Sequence, residues 1–290
     1  MSPLTKKPRC LRFRLKYSAG VVYPAMRVTR GSLFPTTELG KLGRYRNVLL
    51  IGGTGTGKTT KLKEITRIVR SDPNNKVLII TPTDEFRDIA ESLNLEYVEP
   101  EWLGLDPIAM YRDGIISRDD LKYFLMKYIG KRDLSIHVRA MADVDSYGKR
   151  VYEGDTIKLK GNMVLSLSKF YGKSLEKAGF LIPALLLHKI YFEPDMNVNF
   201  AVVVDNAELF LDPVMWSRLM MAMKGKMMFA SSTNSLWRLE GRQAVDILSG
   251  AQLVYIFRDD RPTDHKLLRQ LLYPDDEDYI REIMNLPLGE

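Results

Sequence analysis

Cysteine is nearly absent from this chain of 290 residues, since Cys10 is the only one. A single cysteine excludes an internal disulfide framework and is typical of proteins in a reducing compartment, so we expect a cytoplasmic location. Histidine is also scarce. The three histidines are far apart in the sequence and predict no His/Cys zinc site: His137, His188 and His265.

Long apolar runs are missing as well. The longest run, from Phe180 to Leu187, is interrupted by Pro183 and is far shorter than the roughly 18 residues that a membrane-spanning helix needs. The basic residues near the N-terminus are not followed by an apolar segment, so we expect no signal peptide. Hydrophobic residues at 45% and charged residues at 27% exclude a disordered or collagen-like chain. The length indicates one large domain or one domain with appendages.

Acidic residues are almost missing from the first 46 positions. This segment has eleven Lys and Arg residues and one acid, Glu38, although the whole chain carries a formal charge of only +7. The remainder is therefore close to neutral. A basic arm on a neutral body indicates an anionic partner, nucleic acid first and a membrane surface second. A solvated basic tail is the alternative that charge alone leaves open.

Strict alternation within this arm predicts a strand over Leu11–Tyr17, with Arg12, Arg14 and Lys16 on one face. A turn follows, and Val21–Tyr23 is expected to return as a second strand. The pattern predicts a small N-terminal β element at about residues 9–30. We therefore divide the chain into a basic arm, residues 1–45, and a main domain, residues 46–290.

From residue 46 onward, apolar strands alternate with amphipathic helices, which is typical of an α/β fold with a mainly parallel sheet. Helices are expected after the first strand, with Leu62, Ile65 and Val69 on one face, from Asp212-Pro213 to about 223, and at about 264–272 and 276–285. Residues 109–195 form a divergent insertion, with helices expected around Asp119–Ile129 and Lys177–Tyr191. The predicted strands are Asn47–Ile51, Lys76–Thr81, Phe200–Asp205, Lys226–Ser231 and Gln252–Phe257.

A glycine-rich motif joins the first predicted strand to the first predicted helix. The run from Gly52 to Thr59 fits G-x-x-x-x-G-K-[ST], the phosphate-binding loop (P-loop), in the strand–loop–helix context that the motif requires. Its main-chain N–H groups and the helix N-terminus hold phosphates. Lys58 reaches the β- and γ-phosphates, and the Thr59 hydroxyl ligates Mg²⁺. The sequence therefore predicts ATP and Mg²⁺ as cofactors, bound through Gly52, Gly53, Thr54, Gly55, Thr56, Gly57, Lys58, Thr59 and Thr60.

A carboxylate at the end of a second buried strand completes this type of site. Asp205 ends the apolar run Phe200–Val204, where it is expected to bind Mg²⁺ directly or through a water molecule. An aspartate in a surface turn is the alternative for this segment in isolation. The P-loop in the same chain favours the metal ligand.

The residue after Asp205 departs from the usual pattern. Additional-strand P-loop nucleotidases usually have a glutamate there, which polarises the attacking water, and this chain has Asn206. Asparagine can orient water but cannot accept its proton at neutral pH. Three alternatives stay open: Glu208 acts as the base, another acid such as Glu85 does, or hydrolysis is slow.

Taken in order, these motifs resemble the HerA/FtsK superfamily of P-loop DNA-pumping ATPases, which includes conjugation ATPases and viral genome-packaging ATPases. Besides the P-loop, Thr81–Phe86 resembles the family's D-P-x-G-E-Y segment, with Thr81 in place of the acid. Asp205–Leu211 is similar to D-E-A-H-x-[FL]-L. Three further segments resemble the N-P-[LF] segment, the polar sensor at the end of a strand, and the terminal strand and helix: Leu105–Ile108, Ser231–Asn234 and Ile247–Leu272.

The resemblance implies an additional-strand sheet of order 5-1-4-3-2 and a homo-oligomeric ring of roughly six subunits. It also implies ATP sites at subunit boundaries, where an arginine from the neighbour stabilises the γ-phosphate. Arg258 is our first choice for this arginine, followed by Arg238 and Arg242. Asn234 takes the sensor position. The catalytic set predicted on these grounds is Lys58, Asp205, Asn206, Glu208, Asn234 and Arg258.

Two functional hypotheses follow from the sequence. The first is an ATP-driven motor that grips DNA phosphates without reading bases, and the sequence leaves open whether the DNA moved is a viral genome, a plasmid or a chromosome. The second is a nucleotide-binding assembly or scaffold protein with slow or absent hydrolysis, which Asn206 favours. A small-molecule phosphotransferase is disfavoured, because the sequence shows no phosphoacceptor site and a long gap separates Thr59 from Asp205.

Overall fold

The structure is a computed structural model, and it describes residues 11–12, 27–30, 47–129, 157–192, 199–223, 228–235, 246–248 and 250–258. The helices expected at about 264–272 and 276–285 lie outside these residues, as do Arg238 and Arg242. So do most of the basic side chains of the N-terminal arm.

The described residues form nine strands in one sheet. The strands are β1 (Leu11–Arg12), β2 (Arg27–Arg30), β3 (Asn47–Ile51), β4 (Lys76–Thr81), β5 (Glu96–Val98), β6 (Met163–Ser166), β7 (Phe200–Val204), β8 (Met228–Thr233) and β9 (Leu253–Ile256). Their order across the sheet is β1-β2-β9-β3-β8-β7-β4-β6-β5, and all pairs are parallel except β1 with β2.

The five strands predicted from the sequence lie side by side as β9-β3-β8-β7-β4, which is the expected order 5-1-4-3-2. The predicted α/β class with a mainly parallel sheet is confirmed. The sheet is larger than expected, because β6 and β5 extend it beyond β4 and two N-terminal strands extend it beyond β9. The fourth predicted strand, Lys226–Ser231, corresponds to β8, and its first two predicted residues lie outside the described residues.

The N-terminal strands join the edge of the main sheet. Leu11–Arg12 falls within the predicted strand, but the return strand is Arg27–Arg30, and the predicted one at 21–23 lies outside the described residues. This return strand pairs antiparallel with β1 and parallel with β9, where Arg30 lies opposite Ile256. The strand Arg27–Arg30 therefore lies next to β9 and two strands away from β3. The division into residues 1–45 and 46–290 stays a prediction.

Helices cover both faces of the sheet. They are α1 (Lys58–Arg70), α2 (Arg87–Ser92), α3 (Pro107–Arg112), α4 (Arg118–Phe124), α5 (Gly172–Phe192) and α6 (Pro213–Met223), with a π-helical turn at Leu125–Ile129 and a 3₁₀ turn at Ala207–Leu209. Alternate residues of β3 explain the layers, because successive side chains of a strand point to opposite faces. Val48 and Leu50 pack in the cluster that contains Leu62 of α1. Leu49 packs in the cluster that contains Trp216 of α6.

The segment interpreted as an insertion contributes both to the sheet and to a third apolar cluster. The predicted helix around 119–129 is α4 with its π-helical turn, and Ser117 caps it through a capping box with Asp120. Phe124 and Tyr128 of this unit pack against Phe180 of α5. No helix within the described ranges is long and apolar enough to cross a membrane.

Asp212 fixes the segment that leads from β7 to α6. Its Oδ1 accepts the Val214 N–H at 2.9 Å, so it caps α6 as the sequence predicted. Its Oδ2 accepts hydrogen bonds from Tyr123 Oη (3.0 Å), Lys127 Nζ (2.7 Å) and Tyr128 Oη (2.6 Å). Burial alone would raise the pKa of Asp212, but these donors outweigh burial and hold the pKa below its usual value. The α4 unit thus anchors the chain beyond residue 205.

Candidate functional site

Four neighbouring strands bring the predicted site residues to one edge of the sheet. The strands β7, β8, β3 and β9 are parallel neighbours, so their carboxyl ends meet at the same edge. The P-loop follows β3, Asp205 follows β7, Asn234 follows β8 and Arg258 lies just beyond β9. In open α/β sheets, ligands bind at this edge.

The first two glycines of the loop bind it to the sheet. Gly52 N–H donates to the Thr233 carbonyl at 3.3 Å, and Gly53 N–H donates to the Arg258 carbonyl at 2.8 Å. A Cβ added at Gly52 would stand 2.6 Å from the Cβ of Phe257, so a larger residue does not fit there. Because both N–H groups have protein partners, main-chain contacts to a bound anion have to come from Thr54 onward.

The second half of the loop has the geometry of an anion cradle. Gly55 and Gly57 have φ of +75° and +98°, in the left-handed region that favours glycine. A Cβ added at Gly55 would meet nothing within 4 Å, so the loop is open on that side. Gly57 supplies no side-chain cap to α1, whose first N–H groups and dipole then favour an anion at this end.

Lys58 lies folded into this loop. Its side chain is almost fully buried, and Nζ donates to the Gly53 carbonyl at 2.5 Å. The Thr56 hydroxyl donates to the same carbonyl at 2.8 Å. A phosphate oxygen is a stronger partner for an ammonium group than a neutral carbonyl is. The Lys58 ammonium can therefore exchange the Gly53 carbonyl for a phosphate oxygen as its hydrogen-bond partner.

Thr59 and Asp205 meet across the site. The Thr59 hydroxyl donates to Asp205 Oδ2 at 2.9 Å, although the two residues are 146 positions apart in the chain. Asp205 is fully buried, and its Oδ1 accepts the Ser232 hydroxyl at 2.5 Å. A hydroxyl and a carboxylate beside a phosphate cradle match Mg²⁺, which takes few protein oxygens and adds phosphate and water oxygens. The residues present therefore fit the predicted metal.

Asn206 is held on three sides. Its backbone adopts the left-handed conformation, with φ +47°, and its N–H donates to Ser232 Oγ at 2.8 Å. Its side-chain oxygen accepts Asn234 Nδ2 at 2.9 Å, while Nδ2 lies 3.5 Å from Asp205 Oδ2. The structure therefore brings together three of the predicted site residues, Asp205, Asn206 and Asn234. The carbonyl of the Asn206 amide is already occupied by a protein donor.

Glu208 carries a buried carboxylate. Neither of its oxygens has a hydrogen-bond partner of ordinary geometry among the described residues. Burial raises the pKa of this carboxyl, and the nearby polar groups of Thr233 and Asn234 oppose the shift only in part. The other acid considered from the sequence, Glu85, is exposed on the turn after β4. Of the two, Glu208 has the environment of a tuned acid or base.

Arg258 lies beside the P-loop of its own chain. Its carbonyl accepts the Gly53 N–H, and its side chain is exposed at the end of β9. The role across a subunit boundary stays a prediction.

Ser232 is the site residue that the sequence reasoning missed. The run from Ser231 to Asn234 was considered only as the position of a family sensor. Alternation along a strand offered the missing signal, because residues two apart share a face and Ser232 therefore shares the face of Asn234. Ser231, on the opposite face, is buried, and its hydroxyl lacks a hydrogen-bond partner within the described part of the chain.

No protein-family model and no curated protein matches the sequence. Solved structures do match. VirB4 of Thermoanaerobacter pseudethanolicus is similar over 84% of this chain and 85% of its own, with 14% identity and a TM-score of 0.59. The bacterial conjugative coupling protein TrwB, lacking its first 70 residues, matches over 97% of this chain and 89% of its own, with 13% identity and a TM-score of 0.51.

Likeness at these identities concerns the fold alone. At that level the likeness to VirB4 and TrwB shows a shared fold. It also confirms the α/β class with a mainly parallel sheet.

Proposed function

We propose that this chain binds Mg²⁺-ATP between the P-loop and Asp205 and hydrolyses it to move DNA. The observation that carries the nucleotide site is the 2.9 Å hydrogen bond from Thr59, in the first turn of α1, to the buried Asp205. It places a hydroxyl, a carboxylate and a helix N-terminus at one point, which is the arrangement that a magnesium triphosphate requires.

Each residue of the site has a separate role in binding the nucleotide or the metal. Main-chain N–H groups from Thr54 to Thr60 bind phosphate oxygens, and Lys58 leaves the Gly53 carbonyl to contact the β- and γ-phosphates. Thr59 and Asp205 hold Mg²⁺, which neutralises charge on the phosphates when it is bound. Asn234 orients Asn206 through the 2.9 Å amide contact.

Glu208 is the proposed base for the attacking water. Asn206 cannot accept a proton, and Asn234 already occupies its carbonyl. Glu208 follows two residues later, with a pKa raised by burial, and a base is most effective when its pKa lies near the working pH. The proposal therefore assigns to position 208 the role that position 206 has in the family pattern.

Glu208→Gln is expected to lower turnover by about 10²- to 10⁴-fold with little change in ATP affinity, because general base catalysis contributes that range. Phosphate release at saturating ATP, beside equilibrium binding, measures both. Glu85→Gln is the matched control and should leave turnover unchanged, because Glu85 is exposed. Unchanged turnover in Glu208→Gln with a large loss in Glu85→Gln would transfer the role to Glu85.

The same variant tests the raised pKa of Glu208. The unfolded chain loses this proton near pH 4.3, before the folded protein does, so ionisation opposes folding. The stability of the wild type relative to Glu208→Gln should therefore fall as pH rises above about 4.3 and level off above the pKa of the folded protein. Urea unfolding at a series of pH values checks this direction.

Three observations support DNA as the anionic partner. The motif order resembles DNA-pumping ATPases, TrwB with the same fold is a conjugative coupling protein, and the N-terminal arm is basic. Part of that arm is the strand Arg27–Arg30, which pairs with β9, and β9 in turn pairs with the P-loop strand β3. Phosphate contacts of this kind bind without reading sequence.

The protein is expected to bind duplex DNA of unrelated sequences with equal affinity, and DNA should stimulate its ATPase activity. Because each phosphate contact releases a counterion, log affinity should fall linearly with log salt, with a slope of about −0.9 for each contact. Filter binding at several salt concentrations measures the slope. Neutralising Arg27 and Arg30 together should reduce it. Absence of both salt-sensitive binding and stimulation would remove DNA from the proposal.

The proposed ring places each site at a subunit boundary, with Arg258 first among the candidates for the arginine of the neighbour. Mixing inactive Lys58→Ala subunits with Arg258→Ala subunits shows whether Arg258 acts on the site of a neighbouring subunit or on the site of its own chain. Activity restored in the mixture supports an arginine donated in trans, because some boundaries then combine an intact loop with an intact arginine. No restoration favours action within one chain.

A nucleotide-dependent assembly protein is the second candidate. The observation that favours it is Asn206 at the position of the usual catalytic glutamate, because an amide cannot accept the proton of the attacking water. ATP-dependent oligomerisation without phosphate release, measured by sedimentation with and without ATP, would support this candidate over the motor.

A further inference from the structure

One hydroxyl group joins the two residues at the centre of the proposed site. Ser232 Oγ donates to Asp205 Oδ1 at 2.5 Å and accepts the Asn206 N–H at 2.8 Å. Ser232 is fully buried near the end of β8, the strand that lies between β7 and the P-loop strand. Because Ser232 is part of the sheet, its two hydrogen bonds tie the turn after β7 to strand β8.

These hydrogen bonds give the two carboxylate oxygens of Asp205 different partners. A hydroxyl has one hydrogen to donate, and Asp205 Oδ1 receives it. The other oxygen, Oδ2, accepts a hydrogen bond from the Thr59 hydroxyl at 2.9 Å. The serine therefore determines which carboxylate oxygen faces the P-loop, and it also holds the backbone of Asn206 in the left-handed conformation.

We propose that Ser232 is a positioning residue, which orients Asp205 Oδ2 toward the divalent cation and fixes the turn at Asn206. The inference rests on the proposed nucleotide site and deepens it. Residues that orient a metal ligand without touching the metal change metal affinity by about 10- to 100-fold when they are replaced. Replacement of Ser232 should therefore weaken the metal and leave the phosphate cradle, which is built from other residues, intact.

Ser231 is the matched control for this inference. It precedes Ser232 in β8, lies opposite Leu49 and Val204 in the neighbouring strands, and is equally buried. Its hydroxyl, however, has no hydrogen-bond partner among the residues that the structure describes. Removal of the Ser231 hydroxyl should therefore leave metal affinity unchanged. Ser231→Ala removes the same chemical group as Ser232→Ala, one residue away in the same strand.

The test measures Mn²⁺ binding by electron paramagnetic resonance, in the presence of the non-hydrolysable nucleotide AMPPNP. Mn²⁺ takes the same oxygen ligands as Mg²⁺. Ser232→Ala should weaken Mn²⁺ binding by about 10- to 100-fold, while Ser231→Ala binds as the wild type does. AMPPNP affinity in EDTA should be equal in all three proteins. Ser232→Thr, which keeps the hydroxyl, should restore Mn²⁺ affinity.

Two results would overturn the positioning role while leaving the nucleotide site in place. One is equal Mn²⁺ affinity in the Ser232→Ala and Ser231→Ala variants. The other is a Ser232→Ala variant that loses metal-free AMPPNP affinity as strongly as Mn²⁺ affinity. If Ser232→Ala does not fold, as judged by circular dichroism, Ser232→Cys replaces it, with a slightly larger side chain and a weaker donor. A wild type that binds neither AMPPNP nor Mn²⁺-AMPPNP overturns the proposed function itself.

Discussion

Lys58→Ala is expected to reduce ATP hydrolysis by about 10²- to 10³-fold, the range found when one preorganised donor to a developing charge is removed. The Lys58 ammonium is almost fully buried inside the P-loop, within 2.5 Å of the Gly53 carbonyl. A bound triphosphate supplies a charged acceptor at this place, so the variant loses a charge-assisted contact in the ground state and in the transition state. Both ATP affinity and turnover should therefore fall.

Lys63→Ala is the control for this variant. Lys63 is on the same helix one turn and a half further on, and its ammonium pairs with Asp88 on the surface at 2.8 Å. Such a pair contributes little, so the control should keep both wild-type activity and wild-type stability. Circular dichroism of both variants confirms that the fold is retained. Equal activity of Lys58→Ala and Lys63→Ala would contradict the placement of phosphates at the loop.

Asp205→Asn is expected to lower turnover by about 10²- to 10³-fold and to raise the Mg²⁺ concentration needed for half-maximal activity. Asparagine keeps the size of the buried side chain, and its carbonyl can still accept a hydrogen bond from Ser232 or Thr59. What it removes is the negative charge that faces the cation. The measurement is the rate of phosphate release as a function of Mg²⁺ at saturating ATP.

Asp212→Asn is the control for Asp205→Asn. It shows whether a change in Mg²⁺ dependence is specific to Asp205 or follows the loss of any buried aspartate in this segment. Asp212 is also buried, but its partners are Tyr123, Lys127 and Tyr128, away from the P-loop. Its replacement should lower the free energy of unfolding, because a buried charge-assisted network loses its acceptor charge. The Mg²⁺ dependence should stay that of the wild type. A shifted Mg²⁺ dependence in Asp212→Asn, without a shift in Asp205→Asn, would contradict the assigned metal ligand.

The parts of the site that depend on local sequence could be predicted well. The P-loop is a contiguous motif whose glycines and lysine act within a few residues, and Asp205 ends an apolar run that only a buried strand explains. Their meeting through Thr59 required the sheet order, which the family resemblance implied and the structure shows. The cap that Asp212 provides for α6 was also local and was predicted correctly.

The parts that depend on distant residues could not be predicted in the same way. Strand β5 has three residues and β6 has four, too few for a clear alternation, and β6 lies in the stretch interpreted as an insertion. The hydroxyl donors to Asp212 come from residues more than 80 positions away. The hydrogen bonds that hold Gly52 to Thr233 of β8 and Gly53 to Arg258, just beyond β9, were missed because the motif assigns all its glycines to the phosphates.

The most direct test of the central claim is equilibrium binding of ATP to the purified wild-type chain, with Mg²⁺ and with EDTA, by isothermal titration calorimetry. We expect one nucleotide for each chain, tighter binding with Mg²⁺ than with EDTA, and loss of that metal-dependent gain in Asp205→Asn. Absence of ATP binding to the folded wild type would contradict the claim. So would binding that is unaffected by both Lys58→Ala and Asp205→Asn.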